Sequence, residues 1–108
     1  MTWWPTYPTP SDWLIGLFRT EDPTVFNLSH YSNPEFDKAV NEGVRLEGID
    51  RDAAIKQYDK AQQILMHDAP AIFYADLKTR MARRSDIEGF EPNPAYNAVF
   101  FYRLRRTH

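Results

Sequence analysis

Between Ser32 and Pro70 the chain carries two consecutive amphipathic stripes, each with its own start and stop signals, and this stretch constrains the fold most. Ser32-Asn33-Pro34-Glu35 predicts a helix start. The Ser32 hydroxyl suits the free backbone donors, Glu35 sits three residues on as in a capping box, and Pro34 fits the first turn. Phe36, Ala39, Val40, Gly43 and Val44 follow at i, i+3, i+4, i+7 and i+8 as one apolar stripe, and Gly48 ends it. Asp50 predicts the next cap, because its carboxylate can accept from the free amides of the following turn. Ile55, Tyr58, Ala61, Gln62 and Leu65 continue a second stripe, with Ala54 and Met66 at its margins, and Pro70 closes the helix. The expectation is an antiparallel helical pair joined by a tight Gly-containing turn.

The flanks read differently. Thr2 to Tyr7 predicts a short extended segment that Pro5 and Pro8 confine to an edge. Pro10 suits the first turn of a further helix, in which Trp13, Leu14, Leu17 and Phe18 fall at helical spacing, and Glu21 to Ser32 is loop-like. After the hairpin, Ala71 to Leu77 predicts a strand and Thr79 to Arg84 a second extended piece. Ile87 to Tyr96, with Gly89, Pro92 and Pro94, predicts a loop, and Ala98 to Leu104 a final strand before a basic tail. The sum is an α+β chain with its helices in the first two thirds.

Composition limits what such a chain can do. Sixteen aromatics in 108 residues supply far more buriable surface than disordered chains carry. No apolar run approaches the roughly 18 residues of a membrane span, so the chain is not expected to cross a membrane. The absence of cysteine excludes disulfide scaffolds, thiolate zinc sites and cysteine nucleophiles. The four glycines, at 16, 43, 48 and 89, form no phosphate loop. His30, His67 and His108 pair with nothing at metal-ligand spacing, so neither metal nor cofactor is predicted. No nucleophile, base and orienter form a set, and most carboxylates fall on solvated helix faces, so no catalytic residue is predicted.

Charge divides unevenly: residues 1–77 carry a balance of −6 and residues 78–108 one of +4. Such a split marks two structural contexts in one chain. The basic tail beside Phe100, Phe101 and Tyr102 alternates as a half-buried strand does, and the chain as a whole is acidic, with a pI near 5.9. Nucleic acid is therefore not an expected partner. Asn27-Leu28-Ser29 matches a glycosylation triplet, a pattern that arises often by chance. The aromatic opening stands apart: Trp3, Trp4 and Tyr7 are bracketed by prolines on a stiff segment. They suit either core packing under a helix or a binding wall that contacts a ligand at low entropic cost.

Three segments carry a family resemblance. Trp3-Trp4-Pro5-Thr6-Tyr7-Pro8-Thr9-Pro10 resembles an aromatic segment ending in Asp-Tyr-x-x-Pro. Tyr31-Ser32-Asn33-Pro34-Glu35-Phe36-Asp37 resembles a Y-S-N-P-E-[FY]-D helix start. Ala61 to Pro70 resembles an A-Q-x-I-L-x-x-D-A-P helix end, and an I-x-G-F follows at Ile87 to Phe90. Together they are similar to the extracellular solute-binding proteins of the oligopeptide, dipeptide and nickel type, the receptor subunits of bacterial ABC importers.

The resemblance covers essentially the whole chain, but only the C-terminal part of such a protein. It implies an α/β fragment of a two-lobe periplasmic-binding-protein type II-like fold that closes on its solute. Residues 1–75 would belong to the C-terminal lobe, and 76–108 would cross the hinge and return to the N-terminal lobe. The implied function is non-catalytic capture of a peptide or related small solute, with ABC transporter permease subunits as partners. The implied location is periplasmic, with a signal peptide in sequence preceding this stretch.

Trp3, Trp4, Thr6 and Tyr7 are the expected ligand wall. In peptide-binding relatives the acidic residue of Asp-Tyr-x-x-Pro pairs with the ligand's amino group; Thr6 stands in its place here, with Asp12 one helical turn away as a substitute charge. As a fragment, the chain is also expected to self-associate through cut edges. The rival expectation is a free-standing cytoplasmic protein-interaction domain that uses the aromatic segment or the basic tail.

Overall fold

Among the described residues, three α-helices form where start and stop chemistry directs them: α1 over Pro10–Phe18, α2 over Pro34–Glu47 and α3 over Arg51–Asp68. The computed structural model describes residues 6–75, 80–91 and 99–107. The chain divides into two units, Met1–Phe73 and Tyr74–His108.

The cap of α2 differs by one residue from the expectation. Asn33 Oδ1, not the Ser32 hydroxyl, accepts from the backbone N–H groups of Glu35 (2.9 Å) and Phe36 (3.3 Å). Asn caps as well as Ser does, and with Pro34 at the first helical position it is Asn33 whose side chain reaches the free donors. The Ser32 hydroxyl instead accepts from that of Thr20, at 3.1 Å. Gly48 ends α2, and the turn closes through Ile49 and Asp50 N–H groups that both donate to the Leu46 carbonyl. Asp50 then caps α3, its side chain accepting from Ala53 N–H at 3.0 Å. At the far end Ala69 takes a left-handed conformation, φ 47°, and donates to the Leu65 carbonyl.

The core of this unit is Leu14, Phe36, Ala39, Val40, Ala54, Tyr58, Ala61 and Leu65. In α3 the buried face is Ala54, Tyr58, Ala61 and Leu65, rotated from the predicted stripe. Ile55 is 44% exposed, and Gln62 and Met66 face outward. The small residues win the interface because they allow close approach to α2, where the Tyr58 ring lies against Gly43; a Cβ there would meet Tyr58 Cε1 at 2.5 Å. In α1 the buried residues are Ser11, Asp12 and Leu14, whereas Trp13 is 41% exposed and Leu17 and Phe18 only partly covered.

Residues 74–108 follow their own pattern. A two-residue antiparallel ladder pairs β1 (Ile87–Glu88) with β2 (Arg105–Arg106), in the register Ile87 to Arg106 and Glu88 to Arg105. The loop expected from Ile87 onward therefore begins as a strand, and Gly89, at φ 77°, turns the chain out of it beside the Arg103 carbonyl. The strand expected over Ala98 to Leu104 is instead a 3-10 turn over Phe101–Arg103, Ala98 itself lying outside the described residues. Pairing falls later because acids opposite the basic tail supply the partners. Arg105 meets Glu88 at 2.8 Å, and Asp86 accepts from both Arg84 and Arg106 at 2.9 Å.

Ala71 to Leu77, read as a strand, is irregular over its described residues 71–75, as is the described part of Thr79 to Arg84. Apolar alternation supplies a face but no ladder partner, and no described segment pairs with either run. Phe73 packs against Phe18 instead, the rings tilted by 56° with centroids 5.8 Å apart.

Candidate functional site

Of the four residues predicted to form a ligand wall, Trp3 and Trp4 lie outside the described residues, while Thr6 and Tyr7 are both exposed. The prolines around them lack backbone donors, so the segment is fastened by other means. Thr6 N–H donates to Asp12 Oδ2 at 2.9 Å, Thr9 N–H to the Tyr7 carbonyl at 2.9 Å, and Thr9 and Ser11 hydroxyls share a 2.6 Å hydrogen bond. Asp12, 8% exposed in the first turn of α1, is thus engaged by the backbone that precedes it. The Tyr58 hydroxyl, donating to Glu47 Oε1 at 2.5 Å, lies under this segment among Ser11 and Tyr7. Burial and the Glu47 carboxylate both push the Tyr58 phenol well above its ordinary range.

The loop between α1 and α2 is ordered by two side chains that sequence reading passed over. Glu21 Oε2 accepts from the backbone N–H groups of Val25, Phe26 and Asn27, which holds its carboxyl below the usual range. Asn27, 2% exposed, uses its whole amide. Its NH2 donates to the Arg19 and Tyr31 carbonyls, and its Oδ1 accepts from Ser29 Oγ and Tyr31 N–H. The glycosylation triplet therefore has its asparagine inside the fold. His30, at φ 53°, is held by a 3.2 Å contact between its Nδ1 and the Thr24 hydroxyl.

The two helix motifs meet. Asp68, last residue of α3, accepts on Oδ2 from the Tyr31 hydroxyl (2.6 Å) and from Asn33 Nδ2 (2.8 Å), and His67 Nδ1 lies 2.9 Å from Oδ1. The Tyr31 hydrogen bond, then those of His67 and Asn33, bring the Asp68 carboxyl down to about 2. Burial, with Asp68 beside it, raises the Tyr31 phenol to about 12. Asn33 thus caps one helix and ties down the end of the other with the same amide. The local pattern marks these residues only as start and stop signals; their pairing across 37 positions is a tertiary contact with no local trace.

A shallow groove along α2 and α3 is lined by Asp37, Lys38, Glu42, Arg45 and Lys60, of mixed charge, and contains none of the predicted wall residues. Among the described residues, no cluster of three His, Asp or Glu side chains is placed to hold a metal, and no helix is long and apolar enough to cross a membrane.

No family profile and no solved structure matches the chain. Among curated proteins it is similar to the probable ABC transporter periplasmic-binding protein SapA of Escherichia coli, 34% identical over 74 residues, 68% of this chain and 13% of that protein. It is 32% identical over 82 residues to the peptide transport periplasmic protein SapA of Salmonella typhimurium, 76% of this chain and 15% of the relative. To the probable D,D-dipeptide-binding periplasmic protein DdpA of Escherichia coli it is 26% identical over 99 residues, 91% of this chain and 19% of the relative. The chain spans less than a fifth of the length of each of these relatives. By sequence it belongs to the extracellular solute-binding proteins of the oligopeptide, dipeptide and nickel type, of which it corresponds to a part.

Proposed function

We propose that the chain is the C-terminal part of the substrate-binding component of an ABC-type importer for peptides or a related small solute, working in the periplasm by capture without chemistry. In this reading residues 1–75 belong to the ligand-binding C-terminal lobe. Residues 76–108 cross the hinge and return to the N-terminal lobe, closure of the two lobes traps the solute, and permease subunits receive it. The observation that carries the reading is the likeness to periplasmic relatives of which two are named for peptides. The Tyr31–Asp68–Asn33 contact, which brings two of the resembling motifs together, agrees with it.

Trp3, Trp4 and Tyr7 form the apolar wall against the solute, and Thr6 supplies a hydrogen bond. Thr6 carries no charge, and the nearby Asp12 carboxylate is engaged by the Thr6 amide. A wall so built favours a solute without a free amine at this point, such as a blocked peptide or a sugar-like or opine-like molecule. Removing one partner of a desolvated carboxylate–ammonium contact costs about 2–5 kcal/mol, so the two classes separate cleanly in affinity. Calorimetry of the full-length receptor against trialanine and N-acetyl-trialanine tests this. The acetylated peptide is expected to bind at least as tightly; tight trialanine binding that collapses on acetylation overturns the solute class.

A further inference from the structure

We propose that Asp12 is the positioning residue of the ligand segment, fastening Thr6 and Tyr7 to the first turn of α1, and that its carboxylate does not itself meet the solute. The inference rests on the reading that this segment faces solute. Between Thr6 and Asp12 the chain holds Pro8 and Pro10, which donate no hydrogen bond and so leave fewer backbone groups to fix the segment. The Asp12 side chain supplies the missing acceptor: it is 8% exposed, and its Oδ2 takes the Thr6 N–H at 2.9 Å. Its own N–H donates back to the Thr9 carbonyl at 3.3 Å, and the neighbouring Ser11, fully buried, holds the Thr9 hydroxyl.

The segment is thereby bound at its start and its middle to one helical turn. Asp12 also lies in the first turn of α1, where an acidic side chain complements the helix dipole. Fixing the wall before the solute arrives removes part of the ordering cost of binding. What the position requires is an acceptor, and asparagine retains one.

The test combines amide hydrogen exchange at Thr6, read on the ligand-free chain, with calorimetric affinities of the receptor for trialanine and N-acetyl-trialanine. Asp12→Asn is expected to keep Thr6 exchange and both affinities within about fivefold, since the hydrogen bond survives. Asp12→Ala is expected to speed Thr6 exchange by about tenfold, leave Val40 and Leu65 protected, and weaken the bound probe by a similar factor. An Asp12→Asn receptor that selectively loses trialanine, or an Asp12→Ala chain with unchanged Thr6 exchange, overturns the assignment. If Asp12→Ala unfolds the chain, a tenfold rise at Thr6 in Asp12→Asn is equally fatal. If neither peptide binds the wild type, the solute reading fails while the exchange data still decide the role of Asp12.

Discussion

Gly43→Ala should destabilise the helical hairpin, against the ordinary preference of helices for alanine. In an exposed helix interior the change is worth about 1 kcal/mol in the favourable direction. Here the added Cβ would stand 2.5 Å from Tyr58 Cε1, 2.8 Å from Cζ and 2.9 Å from Cδ1, well inside contact distance. The ring cannot swing away cheaply, because it is buried in the core and its hydroxyl is tied to Glu47 at 2.5 Å. Overpacking of this kind costs about 1–3 kcal/mol, and losing a hydrogen bond to a charged group about 1.5–3 kcal/mol. Set against the propensity gain, the net loss is about 0–2 kcal/mol if the hydrogen bond survives and about 1.5–5 kcal/mol if it breaks.

Urea unfolding of the 108-residue chain, followed by far-UV circular dichroism, measures it as a lower midpoint with little change in slope. Gly48→Ala is the internal control: nothing lies within 4 Å of its Cβ position and its φ is −90°, so it should be neutral or slightly stabilising. In Tyr58→Leu the ring is gone, and the added Gly43→Ala change should cost much less than in the parent. A Gly43→Ala chain as stable as the Gly48→Ala chain would refute the packing argument.

Three further outcomes follow from the same contacts. Because the Asp68 carboxyl sits below its unfolded value, its share of stability is complete above about pH 4 and is lost as pH falls toward about 2. Tyr31→Phe, by removing the strongest donor, should raise the Asp68 carboxyl in an NMR titration and bring acid unfolding to higher pH; an unmoved carboxyl contradicts the contact. Ala69→Gly should raise the denaturation midpoint, since glycine takes the left-handed conformation without the roughly 1–2 kcal/mol penalty of a side chain. Asn27→Ala should cost about 1–3 kcal/mol by stranding the Arg19 and Tyr31 backbone groups, and normal stability in a urea titration would rule out that role.

Local rules made the hairpin legible, because caps, glycine stops and apolar spacing act within a turn or two of chain. They erred where two elements compete for one surface. The face of α3 turned toward Ala54 and Ala61 because close approach to Gly43 outweighed the bulk of Ile55. The runs at Ala71 and Ala98 show the other failure: a strand exists only with a neighbour, and alternation cannot announce whether one is present. Of the candidate wall, the sequence offers Asp12 as a substitute charge for the ligand. Its bond to the Thr6 amide depends on how the segment folds back over α1, which no spacing encodes. The roles of Glu21 and Asn27 left no trace for the same reason, as most of their partners are backbone groups rather than side-chain types.

The Asp68 contact has a consequence for the architecture of the chain. With the Tyr31 hydroxyl 2.6 Å from the Asp68 carboxylate, side chains tie the entry to the helical pair to its exit. The pair is thus a detour of the chain closed by its own buckle, and its inner face is shared with Leu14 of α1. Arms lengthened or shortened together by whole turns would keep that buckle but change the surface on which α1 packs, so variation in their length is felt by the flanking helix.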